Sequence, residues 1–185
     1  MASIADIRHH MRVVSQTRQI TKAMHMISTS KMKKGLARYE ANAVYLSEVR
    51  QTIRDVLTHT EVRDHRYLNA PQGKRAAHII IAADKGLAGG YNSNVLKLVQ
   101  AKIDSCPEAL VLPIGKRALD YCVGHRIPVL TETYAEAAGV SIGDCFSIAK
   151  QLSRSFLNGE YNGIQIAYTN FVSMLSQTPD TMQLL

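Results

Sequence analysis

Apolar side chains recur every three or four residues from Ser3 to about Thr58, in a stretch with no proline and only one glycine, Gly35. This spacing predicts one continuous helix with a coiled-coil-type seam. Ser3 and Asp6 are suited to capping its first turn. At about 1.5 Å per residue the helix would be roughly 80 Å long, whereas a globule of this chain length is roughly 40 Å across. We therefore expect the helix, residues 1–58, to project and its seam to need a partner.

The apolar stripe of this helix shifts by one residue in its middle part. There the stripe is carried by four residues: Ile20, Ala23, Met24 and Ile27. A shift of one residue rotates a stripe by about 100° around the helix axis. The middle is therefore expected to face a different partner from the two ends, and irregular packing in a core is the alternative.

The hydrophobic rhythm changes after a charged connecting loop over 59–75. Buried strands are predicted over 76–83, 109–114, 127–130 and 164–172, and helices over 92–105, 116–123 and 141–157. Strands that alternate with helices predict a Rossmann-like, mostly parallel, four-stranded α/β domain over 76–175. The tail over 176–185 contains Pro179 and no predicted element.

Positive charge is concentrated at the start of the predicted long helix. The chain has a net charge of +7, and its first forty residues hold eight basic side chains against two acids, a net charge of +6. Such a one-signed surface attracts an acidic partner, which can be nucleic acid, anionic lipid or an acidic protein. Aromatic residues are not interleaved with these cations, so the stacking pattern of a single-strand nucleic-acid binder is lacking.

Several classes are disfavoured by composition. No apolar run approaches the length that a membrane-spanning helix needs, and charges occupy the place of a signal peptide's apolar core. Three cysteines at unrelated spacings, Cys106, Cys122 and Cys145, fit buried free thiols in a reducing compartment better than a disulfide framework. No Cys or His pair has the spacing of zinc ligands, so no metal site is predicted.

A glycine-rich turn over Gly86–Gly90 joins the first predicted strand to the next helix, which Asn92 or Ser93 is expected to cap. Phosphate-binding loops lie at such junctions. This turn has neither the dinucleotide pattern nor the Walker pattern, in which Lys follows the last glycine, because Lys85 precedes the glycines. We interpret it as a tight structural turn or a contact surface, with an anion site as the alternative.

The segment Gly139–Gly143 matches the G-x-S-x-G pattern of serine hydrolases. That pattern requires a strand running directly into the serine and a later histidine, and neither is present. Ser141, followed three residues later by Asp144, is better explained as a helix cap. Asp84, Lys85 and His78 lie near the carboxyl edge of the first predicted strand, but their spacing indicates no catalytic pair.

Two segments resemble the gamma subunit of F-type ATP synthases. The run Thr17–Ile27, with Lys31 and Met32 after it, resembles the N-terminal helix of that family, and Ala83–Asn92 is similar to its glycine motif. The resemblance in order and spacing covers essentially the whole chain. Family members are longer and add a second shaft helix. We therefore expect this chain to lack that helix, and alone to self-associate or to be partly disordered along its first helix.

The resemblance implies a non-catalytic rotor shaft. In the family the shaft stands inside a ring of alpha and beta subunits, and the α/β domain lies at its foot near the epsilon subunit and the membrane rotor ring. The shaft transmits the rotation that proton flow drives. This implies no cofactor, no nucleic-acid partner and a peripheral location at the cytoplasmic face of a bacterial plasma membrane. The ring contacts that it implies are Arg18, Ile20, Thr21, Lys22, Ala23, Met24, Ile27, Lys31, Lys33 and Lys34. The family glycine motif is represented by Asp84, Gly86, Gly89 and Gly90.

Two other functions remain open from the sequence. A basic coiled-coil nucleic-acid-binding protein would account for the charge, although the cations are interspersed with apolar residues rather than clustered ahead of a leucine zipper. A small nucleotide-binding α/β enzyme would instead use the Gly86–Gly90 turn.

Overall fold

The structure, a computed structural model, describes residues 3–59, 65–69, 75–106, 108–131 and 135–185. It divides into two compact units, Met1–Val62 and Arg63–Leu185. The connecting loop predicted over 59–75 lies partly outside the described residues.

The first unit consists of one unbroken helix, α1, Ile4–His59, of 56 residues. The Ser3 hydroxyl accepts from the Ala5 amide at 3.2 Å, and the Asp6 carboxylate accepts from the Ser3 amide at 3.0 Å. These two bonds satisfy amides that the first turn leaves without a partner, so the predicted cap is confirmed. A continuous helix of this length measures about 84 Å. None of its residues is buried.

The second unit is built on a four-stranded sheet. Its strands are β1, Ala76–Ile81, β2, Leu110–Ile114, β3, Gly163–Phe171, and β4, Gln177–Gln183. Their order is β2-β1-β3-β4, with β1 parallel to both β2 and β3, and β4 antiparallel to β3. The predicted mostly parallel four-stranded α/β architecture is confirmed.

Two strand assignments differ from the prediction. Residues 127–130 form only a bridge between Val129 and Val111, because Arg126 enters the segment with a positive φ of 56° and Pro128 offers no amide. The fourth strand is instead β4, in the tail for which the sequence predicts no element. The polar sequence of β4 hides it, and Pro179 is accommodated because β4 is the edge strand.

Three helices cover the sheet: α2, Tyr91–Asp104, α3, Lys116–Gly124, and α4, Ile142–Leu157. The predicted cap of α4 is confirmed, since Ser141 and Asp144 form a reciprocal capping box. The predicted cap of α2 is wrong. That helix begins after Gly90 with no side-chain cap, and the side chain of Asn92 instead accepts a hydrogen bond from the Ala83 amide.

The core lies on both faces of the sheet. One cluster joins Ile80 and Val111 to the inner faces of α2 and α3, and the other joins Ile79 and Ile164 to Phe156 of α4. All three cysteines are present as thiols rather than disulfides, but only Cys122 is buried, whereas the sequence predicts buried thiols. Burial raises the pKa of the Cys122 thiol to about 11, so it remains protonated in the core.

Candidate partner-binding surfaces

The residues that the resemblance implies as ring contacts lie along the middle of α1, in the segment 18–34, which we call the basic segment. All ten are exposed, including the large apolar side chains of Ile20, Met24 and Ile27. Exposed apolar side chains in a contiguous row are typical of an interaction surface. Among the described residues, no carboxylate forms an ion pair with a cation of this segment. The basic segment therefore offers uncompensated positive charge beside exposed apolar area.

The cations of the basic segment lie on opposite sides of the helix. Ile20, Met24 and Ile27 are followed at the same helical spacing by Lys31 and Lys34, so these five share one face. The remaining cations, Arg18, Lys22 and Lys33, fall on the opposite face. A partner that approached from one side only would reach two or three of these five charges. The arrangement therefore suits contact around the helix better than contact along a single seam.

Thr21 differs from the other implied contacts because its hydroxyl is already engaged. The Thr21 hydroxyl donates to the Thr17 carbonyl at 2.8 Å, and the Thr17 hydroxyl donates to the Val13 carbonyl at 2.9 Å. Such bonds within a helix can bend it slightly. Thr21 can therefore offer a partner its methyl group and its oxygen as an acceptor.

The carboxylate of Asp84 ties the glycine turn to the rest of the α/β domain. It accepts from the backbone amides of Lys116 at 3.3 Å, Ala137 at 3.1 Å and Ala138 at 3.4 Å. Lys116 is the first residue of α3, where the helix dipole favours a negative charge. Asp84 therefore joins three segments that are distant in the chain, which indicates a structural role.

Asn92 closes the same turn from the other side. Its side-chain oxygen accepts from the Ala83 amide at 2.8 Å, and its nitrogen lies 3.4 Å from the Lys85 carbonyl. The side chain therefore bonds to residues before the turn rather than capping α2. This bond explains why the sequence carries Asn at this position and why the capping prediction is wrong.

The glycines of the turn allow close approach and left-handed backbone. A side chain on Gly86 would begin 2.7 Å from the guanidinium of Arg117, and Gly89 has a φ of 55°. Between them Leu87 also has a positive φ, 60°, which is unusual for a leucine. Its side chain is 99% exposed. These features favour a fixed turn that displays Leu87 over an anion-binding loop, since the negatively charged Asp84 lies two residues before the turn.

Around Ser141 and His78 the described residues do not form a catalytic arrangement. The Ser141 hydroxyl donates to the Asp144 carboxylate at 2.7 Å, and hydrogen bonds from Ser141 lower the pKa of Asp144. Ser141 is therefore a cap rather than a nucleophile. His78 is buried in the core, and its Nε2 has no partner among the described atoms.

The part of the chain that the structure describes has neither a cluster of metal ligands nor a membrane-spanning helix. No group of three or more His, Cys, Asp or Glu side chains there could hold a metal ion. No helix in that part of the chain is long and apolar enough to cross a membrane.

One family model covers both the long helix and the glycine turn. The family model described as ATP synthase matches residues 3–185. The chain belongs to the ATP synthase gamma-chain family. Its relatives include the ATP synthase gamma chain of Ruminococcus albus, 34% identical over 100% of this chain and 66% of the relative. That of Ruminiclostridium cellulolyticum is also 34% identical, over 99% of this chain and 64% of the relative. The chain thus spans slightly less than two thirds of these gamma chains.

Solved structures share the fold of this family member. The central stalk of the mitochondrial ATP synthase of Tetrahymena thermophila matches 90% of this chain and 72% of its own, with a TM-score of 0.64 and 23% identity. A chain of the Euglena gracilis mitochondrial ATP synthase matches 96% of this chain and 55% of its own, with a TM-score of 0.56 and 17% identity. At these identities the likeness concerns the fold.

Proposed function

We propose that this gamma-family chain acts as the central-stalk rotor of a rotary ATP synthase. In this role the division predicted from the sequence separates a shaft helix, residues 1–58, from an α/β foot, residues 76–175. The shaft transmits rotation from a proton-driven membrane ring to a ring of catalytic alpha and beta subunits. The chain itself performs no catalysis and binds no cofactor.

The observation that carries this proposal is the unbroken 56-residue helix without a buried residue. A helix without tertiary packing gains little stability from its own sequence, so its exposed apolar positions favour a role in contact with other chains. Cations on both sides of the basic segment support an enclosing partner with acidic surfaces. We propose Arg18, Lys22, Lys31, Lys33 and Lys34 as the charged contacts and Ile20, Thr21, Ala23, Met24 and Ile27 as the close-packed ones.

The glycine turn provides a second proposed contact. Asp84, Gly86, Gly89 and Gly90 hold the turn in place, and Leu87 is the side chain that it presents. We propose that this turn faces a neighbouring subunit of the complex. The epsilon subunit and the membrane rotor ring complete the proposed partners of the foot, and the complex lies at the cytoplasmic face of a bacterial plasma membrane.

The most specific part of the proposal is the identity of the transported ion. We propose protons, as implied by the resemblance. One relative, from Acetobacterium woodii, is named sodium ion specific and is 32% identical over 99% of this chain. Sodium-dependent and sodium-independent ATP hydrolysis by a complex containing this chain would separate the two ions.

Coexpression with the alpha and beta subunits of Ruminococcus albus tests the proposed role. A tag on this chain should recover both subunits, and replacing Lys31, Lys33 and Lys34 with Glu should lower the yield by about tenfold. The matched control replaces the same three lysines with Arg, which keeps the charge. The proposal is contradicted if no alpha or beta subunit is recovered, or if the Glu and Arg variants recover equal amounts.

A further inference from the structure

A groove lies along α4, within the second unit. Its volume is about 510 Å³. We call it the α4 groove. Its lining includes Arg66, Tyr67, Phe146, Lys150, Arg154 and Leu157. Phe146, Lys150, Arg154 and Leu157 recur at helical spacing, which gives the groove a length of about 17 Å along α4.

Residues 65–69 form the wall opposite α4, and two contacts hold this wall in place. The Tyr67 ring stacks on the ring of Phe156, with centroids 6.5 Å apart and an interplanar angle of 21°. Phe156 is buried in the core. The Arg66 guanidinium lies 3.4 Å from the Leu157 carbonyl, within hydrogen-bond distance. These contacts hold the wall against the C-terminal half of α4, so the groove is already formed without a partner.

The floor of the groove continues into exposed apolar area. Phe146 is 73% exposed, and Ile142, one turn earlier on α4, is 77% exposed. Further along the same helix Leu152 and Phe156 are buried in the core. The first turns of α4 thus leave two large apolar side chains exposed, and an exposed aromatic residue in a groove is a favourable anchor for a partner.

The charged side chains that line the groove are all positive among the described residues. Arg66, Lys150 and Arg154 line it, and no described Asp or Glu does so. The ion pair among the described residues, Lys116 with Asp120, lies elsewhere in the domain. Three cations without a described carboxylate partner, arranged around apolar side chains, are complementary to a ligand that carries acidic groups on both sides of an apolar residue.

We propose that the α4 groove binds an acidic amphipathic helix of a protein partner. The groove is open and elongated along α4, which suits a helix lying in a groove better than a small molecule enclosed in a pocket. An aliphatic or aromatic side chain of the partner packs between Tyr67 and Phe146, while its carboxylates face Arg66, Lys150 and Arg154. The proposed site uses only residues of the second unit, Arg63–Leu185, and does not depend on the proposed rotor function.

Fluorescence anisotropy with two labelled peptides of about 16 residues, long enough to form a helix, tests this proposal on the full chain. The peptides share the same Leu and Phe positions and differ only in carrying Glu or Lys beside them. The Glu peptide should bind at least about tenfold more tightly than the Lys peptide, and the Lys150→Glu, Arg154→Glu variant should lose about tenfold in affinity for it.

Three further variants, two of them controls, show whether binding of the Glu peptide depends on the α4 groove itself. Lys97→Glu, at an exposed position on α2, should bind the Glu peptide like the unaltered chain. Phe146→Ala should weaken binding without a change in circular dichroism. The Lys31, Lys33, Lys34→Glu variant should also bind normally, which distinguishes failure of this site from failure of the shaft. Equal binding of both peptides, or equal losses in the Lys97 and Lys150–Arg154 variants, would overturn the proposal.

A photo-reactive residue at position 146 tests the other occupants of the groove. With the Glu peptide present, the cross-link should map to the apolar position of that peptide. Predominant cross-linking to a second copy, to another segment of the same chain, or to phosphatidylglycerol vesicles would each assign the groove to that occupant instead and overturn the proposal.

Discussion

The long helix buries none of its apolar side chains, whereas the α/β domain buries many of them on the two faces of its sheet. In the α/β domain Ile80 and Phe156 are buried on the two faces of the sheet, so the domain contains its own core. In α1 no residue is buried, although Ile4, Met24 and Ile53 follow an apolar pattern. The difference separates an apolar pattern that stabilises a fold from one that leaves its apolar area exposed.

The distribution of charge follows the same division. The first forty residues have a net charge of +6, which leaves +1 for the rest of the chain. Charges of mixed sign are typical of a solvated surface, whereas charges of one sign indicate a partner of the opposite sign. The comparison predicts that substitutions in the α/β domain change stability strongly, whereas equivalent substitutions in α1 change it by at most about 1 kcal/mol.

The largest expected effect comes from Gly115, between β2 and α3. Its φ is 89°, and a side chain there would begin 2.0 Å from the Ala82 carbonyl oxygen. Gly115→Ala should therefore lower the free energy of unfolding of the α/β domain by about 4 kcal/mol or more. Gly35→Ala in α1 meets no atom within 4 Å and should stabilise the helix by about 1 kcal/mol. Urea unfolding followed by NMR signals from each unit checks both values.

The next effect compares one apolar residue from each region. Phe156→Ala removes a fully buried ring and should cost about 3–4 kcal/mol of unfolding free energy. Ile53→Ala removes a side chain that is 53% exposed and should change the stability by less than about 0.5 kcal/mol. The same urea titration measures both variants. A large loss for Ile53→Ala would show that α1 has packing of its own.

A smaller effect is expected at Asp84. Asp84→Asn replaces one acceptor oxygen by an amide group that cannot accept from the backbone amides of Lys116, Ala137 and Ala138 together. We expect a loss of about 2 kcal/mol in unfolding free energy. The control is Asp120→Asn, which removes a surface ion pair with Lys116 and should cost less than about 0.5 kcal/mol. Equal costs for the two variants would contradict the structural role of Asp84.

The smallest effect concerns pH. Burial, with a further contribution from Lys102, lowers the pKa of His78 below its ordinary value of 6.5. The unfolded chain therefore binds a proton at a higher pH than the folded chain does. The contribution of His78 to stability should be complete above pH 6.5 and should decrease as the pH falls below it. Urea midpoints from pH 5 to pH 8 test this, and the slope should weaken in a His78→Phe variant that remains folded.

Local patterns predicted the parts of the structure that depend on neighbouring residues. The continuous α1 and the Ser141 cap follow from spacing along the chain. The strand β4 could not be predicted, because its polar residues pair with β3 and their pattern contains no period of two. The role of Asn92 was also hidden, since its bond to Ala83 depends on how the turn folds back.

The partner surfaces were predicted unequally for the same reason. The basic segment was visible because charge and apolar spacing repeat along a single helix. The α4 groove was not, since it requires Tyr67, from a segment predicted as a loop, to stack on Phe156 about ninety residues later. The exposed Phe146 within an otherwise regular amphipathic helix was the available signal.

Hydrogen exchange along α1, measured with and without the alpha and beta subunits, tests the central claim most directly. In the chain alone, amides of the basic segment should exchange faster than those of β1 and β3, because no tertiary packing protects them. Adding the two subunits should slow exchange in the basic segment and leave β1 and β3 unchanged. Exchange in the basic segment that is as slow as in β1 beforehand, or that is unaffected by the subunits, would contradict a helix whose apolar and basic surface is completed by a surrounding partner.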